Sequence, residues 1–356
     1  METATSGAGG GQVTIAQTQH SLVRWRRGAR SLRPARSPEI LWFAVIFFCF
    51  SRRWLLAVCS IAVWGSTAAA SSPTPPPRQP GTSASKRWMD LSAEERRALL
   101  EQVSAGDAPL RRRLIGIGER FLGTPYLASP LGEGSGPDPD PLIRFDAVDC
   151  LTFVEETMAL ALAASWDEVV RILTQIRYFD QVIYEKRNHL MEAQWIPNNA
   201  RKGFLTSATR RYGGEGAREV WKEITERTWA SKSSKSLGLT GSDRPTGKFA
   251  LTIIPLADVL AIAPKVESGT VLAVVREDRP YSVTRISHVG FVIQKGSRTY
   301  LRHATRTFGK VVDEELRSFL DRNSKYDRWR VVGVSLFEVA QPASGAHTAP
   351  ANVAHP

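Results

Sequence analysis

The sequence predicts an α+β fold in which helices come first and a mainly antiparallel β-sheet follows. From residue 92 to residue 177, apolar residues recur at helical spacing, and several segments begin with helix-capping residues. After residue 249 the chain changes to short β-branched and aromatic runs separated by turn residues. Because helices and strands are segregated along the chain, we expect the helices to pack on the sheet.

The N-terminal segment resembles an export signal more than part of this fold. Two apolar stretches, 40–50 and 55–65, flank Ser51-Arg52-Arg53, and each is too short to span a bilayer. The second has the positive, apolar and small-residue regions of a secretory signal, and its arginine pair resembles a twin-arginine signal. Residues 40–70 are therefore predicted to be a signal peptide or an uncleaved membrane anchor, which places the protein in the periplasm or cell envelope.

The remaining boundaries follow from composition. Residues 1–39 match neither a signal nor a domain, residues 71–88 form a Pro/Ser-rich linker, and residues 341–356 are predicted to be a disordered tail. Residues 89–340 are left as one domain, with an insertion at about 205–248, the later part of which is expected to be mobile.

The charge suits an acidic polymer or an envelope surface. The formal net charge is +12, and half of it comes from residues 1–70, where eight Arg face only Glu2 and Glu39. No Lys/Arg run with interleaved aromatics and no nucleic-acid motif is found, so a nucleic acid is not expected as a partner. A monomer is expected.

Cys150 is the residue around which the predicted site is built. Cys49 and Cys59 lie in the predicted leader, so the exported body has one cysteine and cannot form an intramolecular disulfide. A lone thiol in an oxidising compartment is a liability unless it is buried or used. A buried core residue is therefore the alternative to a reactive one.

Cys150 follows a Gly/Pro/Asp-rich loop and begins an apolar run that extends to Ala164. Asp149 is a good N-cap residue, and Glu155 and Glu156 suit the positive end of the helix dipole. The free N–H groups at a helix start would lower the pKa of the thiol toward the reactive range.

Three further helices are predicted around this one. Capping boxes open helices at Ser92 and Ser165, and Pro109–Phe121 reads as an Arg-rich amphipathic helix. That last helix ends at Gly123, and the chain then leads through Tyr126 into the loop that delivers Cys150, so Tyr126 is expected beside the thiol.

The segment 178–199 concentrates polar, cationic and aromatic residues without a clear period, and it includes Arg187, Asn188, His189 and Trp195. Such a mixture is typical of a binding surface. The alternative is a solvated connection whose aromatic residues pack underneath it.

The second half of the chain contains five predicted strands, with a short helix at Leu316–Leu320; the strands are Phe249–Pro255, Thr270–Arg276, Ser287–Gln294, Thr299–Thr305 and Arg330–Val339. The third and fourth strands read as a hairpin. A turn at Gly296-Ser297 places 290 opposite His303, whereas a turn at Lys295-Gly296 places His288 opposite it. Both registers leave the two imidazoles on one face of the sheet.

A thiolate nucleophile needs a base, and that base needs an orienting group on its other nitrogen. Cys150, His288 and His303 can supply these three roles, with the backbone N–H of Cys150 and the Tyr126 hydroxyl near the oxyanion. A zinc site from the same three residues is the alternative, but the chain has no CxxC, HExxH or close ligand pair.

These motifs resemble the N-acetylmuramoyl-L-alanine amidase-like branch of the NlpC-type, papain-like cysteine peptidases. The resemblance covers about residues 90–340 and rests on five groups of residues: Gly123-Thr124-Pro125-Tyr126, Asp149 to Glu155, Arg177-Tyr178, Tyr184 with Arg187-Asn188-His189, and Ser287 to Phe291 with Arg302-His303-Ala304. After the cysteine the chain has Leu-Thr-Phe-Val-Glu, the form of this narrower branch.

The resemblance implies a papain-like NlpC-type fold and cleavage of amide bonds in bacterial peptidoglycan, without a cofactor. It implies Cys150 as nucleophile, His288 as general base and acid, His303 as its orienting residue and Tyr126 near the oxyanion. The residues expected to contact the stem peptide or sugar are Arg187, Asn188, His189, Trp195 and Asp149. A stem-peptide endopeptidase and a non-catalytic wall-binding module are the alternative functions.

Overall fold

The computed structural model describes residues 86–342. The predicted leader, nearly all of the predicted linker and the tail beyond residue 342 lie outside the described residues, so these assignments stay predictions. Within the described range, no helix combines the length and apolar composition needed to cross a bilayer.

The helical layer is formed by α1 (Ala93–Ala105), α2 (Leu110–Glu119), α3 (Cys150–Leu162) and α4 (Trp166–Arg177). Ser92 and Glu95 form the predicted capping box of α1. At α4 the box is only half formed, because Ser165 caps the helix while the Glu168 carboxylate accepts from the amide of Ala164. Almost every residue of α3 is buried, as its continuous apolar run predicts.

Six shorter α-helices follow: α5 (Ile196–Arg201), which continues a π-helical turn at Met191–Trp195, and then α6 (Thr209–Gly213), α7 (Glu226–Trp229), α8 (Lys232–Lys235), α9 (Leu256–Ile262) and α10 (Leu316–Ser324). The last of these contains the short helix predicted at Leu316–Leu320.

Eight strands form one antiparallel sheet: β1 (Leu205–Ser207), β2 (Arg218–Ile224), β3 (Gly247–Pro255), β4 (Val271–Arg276), β5 (Ile286–Lys295), β6 (Arg298–Thr305), β7 (Lys310–Glu315) and β8 (Val331–Val339). Their order is β2-β3-β8-β4-β5-β6-β7, and β1 also pairs with β8. Every pairing is antiparallel. The prediction of a mixed fold with helices and an antiparallel sheet is confirmed.

The segment before β3, which the sequence predicts to be mobile, contains regular structure and packed side chains. Residues 230–248 contain α8 and the start of β3, and β2 pairs with β3 along its whole length. Trp229 and Leu239 pack with Leu190 and Ile224 in a small separate core, and the Trp229 indole donates to the carbonyl of Pro245. The Ser/Lys/Gly composition concealed these few apolar anchors. Whether 205–248 is an insertion relative to related proteins stays a prediction.

The two faces of the sheet carry different helices. On one face α3 packs against β5, with the rings of Phe153 and Phe291 edge to face at 5.8 Å. On the other face Val292 and Leu301 pack with Phe319 of α10. Because successive side chains of a strand point to opposite faces, neighbouring residues of β5 belong to different cores.

The β5–β6 hairpin turns at Gly296-Ser297, since Lys295 pairs with Arg298 and Gly296 has a positive φ of 56°. This is the first of the two predicted registers, and it places His288 diagonally across from His303. The β4–β5 pairing has a bulge next to this histidine. Val274 pairs with His288 and Val275 pairs with Ile286, so the regular ladder is interrupted between Ile286 and His288.

Candidate active site

Asp149 is the N-cap of α3. One oxygen of its carboxylate accepts from the amides of Leu151 and Thr152 at 3.1 and 2.8 Å. The other accepts from the amide of Ser129 at 3.1 Å. Both oxygens thus bind backbone N–H groups and hold the loop to the helix start, and the contact of Asp149 with substrate stays a prediction.

The Cys150 thiol lies where α3 meets β5. Burial, followed by the Asp149 carboxylate, raises its pKa to about 12, while backbone N–H groups of Val289, Leu151 and Cys150 itself act in the opposite direction. The predicted lowering of this pKa is thus wrong for the unliganded protein. Removing the thiolate from water outweighs the helix-start amides. The cysteine residue as a whole is only half-buried, so the position remains open to solvent.

The two histidines form a close pair. The Nε2 of His288 and the Nδ1 of His303 are 2.6 Å apart, and the rings are perpendicular with centroids at 4.8 Å. Both rings pack on Phe319 of α10. Burial, with contributions from His303, Arg322 and Arg276, holds the pKa of His288 well below its usual range, so its imidazole is neutral at neutral pH.

The thiol and the histidine pair both lie near the start of β5. Cys150 is beside the amide of Val289, which is the residue after His288, while the His288 ring lies on the α10 face. Within residues 86–342, no hydrogen bond joins the thiol to either imidazole. His288 uses Nε2 for its partner histidine, so Nδ1 is the ring atom left to exchange a proton with Cys150.

A carboxylate behind the histidines was missed by the sequence analysis. Glu314 of β7 has an oxygen 3.2 Å from the Nε2 of His303, and it also binds Arg322 of α10 at 2.7 Å. His303 pairs with Val312, and Glu314 is two residues further along the same face of β7. The sequence analysis did not predict β7 as a strand. With β7 predicted, the register would have placed Glu314 diagonally across from His303.

Tyr126 is held beside the start of α3 by backbone pairing. Its amide donates to the carbonyl of Gly309, next to β7. The amide of Leu127 donates to the carbonyl of Val148, and the amide of Val148 donates to the carbonyl of Pro125. These two bonds form a parallel bridge between the segment around Tyr126 and the segment before α3. Burial, followed by the neighbouring Cys150 and Asp149, raises the pKa of the Tyr126 phenol. The structure thus brings Tyr126 next to the thiol.

The four residues expected to bind substrate in the segment 178–199 are engaged inside the protein. Arg187 binds the carboxylates of Glu133 and Asp138 at 2.6 and 2.9 Å. His189 donates from Nε2 to the carbonyl oxygen of Tyr184 in its own loop, at 2.7 Å. The guanidinium and the imidazole therefore hold the long loop before α3 and the turn after α4.

Asn188 and Trp195 are buried, which corrects their assignment as substrate contacts. The Asn188 amide donates to the carbonyl of Ile176, and the fully buried Trp195 donates its indole N–H to Glu155 at 2.9 Å. The alternative interpretation, aromatic residues packed beneath a connection, is correct for Trp195.

Glu155 and Glu156 face the interior instead of the solvent near the helix start. Glu155 pairs with Arg177 at 3.0 Å and accepts from Trp195. Glu156 accepts from the amide of Arg144, while burial raises its pKa to about 8. The helix dipole therefore explains neither residue; both are internal anchors.

The described residues also bear on the alternative zinc site. Within residues 86–342, no group of three or more His, Cys, Asp and Glu side chains is arranged to hold a metal ion.

Comparison with known protein families gives the family. A sequence model of the AmiA-like family, described as N-acetylmuramoyl-L-alanine amidase-like, matches residues 116–326, which is more than half of the 356 residues. The chain belongs to this family. The matched region of this AmiA-like protein contains α3, the histidine hairpin and Glu314.

Solved structures share the AmiA-like fold. A Legionella pneumophila protein of the DUF1460 family is 25% identical, with a TM-score of 0.61 over 70% of this chain and 95% of its own. An N-acetylmuramoyl-L-alanine amidase from Bacteroides uniformis is 23% identical, with a TM-score of 0.53 over 65% of this chain and 99% of its own. No protein of curated function matches the sequence.

Proposed function

We propose that this AmiA-like protein is an exported cysteine amide hydrolase that cleaves peptidoglycan between the lactyl group of the sugar and L-Ala. The observation that carries the proposal is the placement of Cys150, the single cysteine of residues 86–342, at the start of a buried helix, against the strand that bears a hydrogen-bonded histidine pair. The family supports a peptidoglycan substrate. The papain-like, NlpC-type relationship and the location in the periplasm or envelope are parts of the same proposal.

The proposed reaction uses the thiol and one imidazole. The Cys150 sulfur attacks the carbonyl carbon while Nδ1 of His288 takes its proton, giving a tetrahedral oxyanion near the backbone N–H of Cys150 and the Tyr126 hydroxyl. The His288 imidazolium then protonates the leaving amine, and a thioester remains on sulfur. Water, deprotonated by His288, hydrolyses the thioester and restores the thiol.

The charge states at rest support proton transfer during the attack. Since the pKa of Cys150 is raised and that of His288 is lowered, the unliganded site holds a thiol and a neutral imidazole. For catalysis the His288 ring must come within hydrogen-bond reach of the sulfur. Catalytic hydrogen bonds in unliganded enzymes are often long and tighten when substrate binds.

Digestion of purified muropeptides, analysed by mass, tests the proposal. The full chain should release intact stem peptide from the sugar. Cys150→Ala and His288→Ala should not, and circular dichroism is used to check that both variants are folded. Gln102→Ala, on the exposed side of α1, is the matched control and should keep full activity.

Three results would count against the proposal in different ways. Stems cut internally with no release from sugar would indicate an endopeptidase. Activity that survives Cys150→Ala would remove the thiol from the mechanism. Binding to sacculi without any cleavage would indicate a wall-binding module.

A further inference from the structure

We propose that Glu314 is a positioning residue that fixes the tautomers of both histidines, so that Nδ1 of His288 is unprotonated and able to accept the thiol proton. The inference deepens the proposed function and rests on it for its catalytic meaning. Its structural content, the position of two ring protons, can be measured whether or not the enzyme acts on peptidoglycan.

Glu314 is the acceptor that faces the Nε2 of His303. His303 is fully buried, and its Nε2 is 3.2 Å from Oε2 of Glu314. This contact does not satisfy strict hydrogen-bond geometry, and within residues 86–342 the nitrogen has no hydrogen-bond partner elsewhere. Any proton on the Nε2 of His303 therefore points to Glu314 alone.

The Glu314 carboxyl is ionised. Burial opposes ionisation of Glu314, yet the nearby His303 ring and the Arg322 guanidinium outweigh it, so the pKa of the carboxyl is lowered. Arg322 donates to both oxygens, through Nη2 at 2.7 Å and Nε at 3.3 Å. An ionised carboxylate can only accept, so the Nε2 of a neutral His303 must carry its proton.

The position of the proton on His303 determines the position of the proton on His288. With a proton on Nε2, a neutral His303 has a bare Nδ1, which accepts from the Nε2–H of His288 across 2.6 Å. The neutral His288 then has a bare Nδ1. The hydrogen bond by itself does not select this arrangement, because a proton on the Nδ1 of His303 would satisfy the same N···N distance.

The reversed arrangement would block the proposed chemistry. If His303 donated from Nδ1 to the Nε2 of His288, the proton of His288 would sit on Nδ1, and the ring could not accept a proton from Cys150. The carboxylate thus distinguishes a competent histidine pair from an incompetent one of the same shape. Two other charged groups, Arg322 and Arg276, influence His288, but as cations they cannot accept an N–H.

Nitrogen chemical shifts of histidine rings report tautomers directly. In full-length protein labelled with ¹⁵N-histidine, we expect the wild type at neutral pH to show protonated Nε2 and bare Nδ1 for both residues. Glu314→Leu, which removes the acceptor, should give mixed or reversed tautomers. Should that variant not fold, Glu314→Gln serves, because its amide can donate as well as accept and should broaden the tautomer distribution.

A matched control separates tautomer control from packing. Glu315→Gln changes the neighbouring, partly exposed carboxylate and should retain the wild-type tautomers. The catalytic consequence is a kcat for Glu314→Gln reduced by about 10–100-fold with little change in KM.

Wild-type tautomers retained in Glu314→Leu and Glu314→Gln would overturn the inference, and so would a reversed pattern in the wild type. A change in KM without a change in the tautomers would indicate that Glu314 has only a structural role. If the tautomers shift as expected but Cys150→Ala still cleaves muropeptides, the proposed mechanism fails while the tautomer control stands.

Discussion

At the scale of the residue, the Cys150 thiol is subject to two opposing influences. Backbone amides at the start of α3 favour the thiolate, while burial and the adjacent Asp149 favour the thiol and win. Asp149 is the cap of α3, so the residue that fixes the position of Cys150 also suppresses the ionisation of its thiol. Reactivity would then depend on contacts that substrate brings.

Alkylation kinetics test this balance. In a Cys49→Ala, Cys59→Ala background, the rate of carboxamidomethylation of Cys150 should keep increasing through the alkaline range, as expected for a thiol with a pKa of about 12. Asp149→Asn keeps a good cap and removes the charge, so its rate at a fixed pH should be higher. A plateau in the neutral range would instead indicate a preformed thiolate–imidazolium pair.

The sequence predicts which residue types form the site better than it predicts which side chains pair with each other. A lone cysteine and two histidines on one hairpin face could be derived from composition and strand periodicity. That Arg187 is already paired could not, because Glu133 and Asp138 belong to a loop whose path has no periodic signal. Ion pairing between distant segments is fixed by tertiary structure alone.

At the scale of the element, the β5–β6 hairpin depends on a close approach at Gly290. A Cβ built there would be 2.6 Å from the carbonyl oxygen of Arg302 and 2.9 Å from the Cβ of His303. Only glycine allows β6 to come this near, and so the pairing of the two imidazoles depends on it.

Gly290→Ala should therefore destabilise the protein by about 1–3 kcal/mol and displace His303. Gly116→Ala in α2 is the matched control, since no atom lies within 4 Å of its added Cβ and alanine favours a helix. Thermal unfolding should show a lower Tm for the first variant and an unchanged or higher Tm for the second. Equal Tm values would contradict the close approach.

Helices α3, α4 and the turn before α5 are joined through Glu155. Its carboxylate accepts from Arg177 of α4 and from Trp195, and all three side chains are buried. Trp195→Phe would leave one oxygen without a donor and a small cavity, at a cost of about 2–3 kcal/mol. Trp221→Phe, at a half-exposed position of β2, should cost less than about 0.5 kcal/mol. Urea unfolding compares the two, and equal costs would contradict the role of the indole N–H.

The strands that sequence patterns identified contain β-branched or aromatic runs between turn residues. The five predicted strands correspond to β3, β4, β5, β6 and β8. The two missed strands of more than three residues, β2 and β7, are rich in charge, with sequences REVWKEI and KVVDEE. Their pairing is determined by the neighbouring strand, which a local pattern does not contain.

At the scale of the whole molecule, a buried carboxylate links stability to pH. Glu156 is fully buried, one of its oxygens has no hydrogen-bond partner within residues 86–342, and its pKa is raised to about 8. Because the folded state binds this proton more tightly than the unfolded chain, stability falls as pH rises from about 4.5, the ordinary value, to about 8.

Glu156→Gln should flatten this dependence. Between pH 5 and 8, about the window set by the two pKa values, the free energy of unfolding of the wild type should fall by a few kcal/mol more than that of the variant. Glu101→Gln, at an exposed position of α1, should keep the wild-type slope. Chemical unfolding across the pH range measures the difference, and identical slopes for all three proteins would contradict the raised pKa.

The two ends of the sheet have consequences for self-association. At β7, the segment around Pro125 pairs with Lys310 and Val311, so this edge is closed by the same chain that positions Tyr126. At the other end β2 is the terminal strand, and four of its seven residues are charged. One edge is thus covered and the other is charged, which are the two ways in which natural sheets resist the strand addition that begins aggregation.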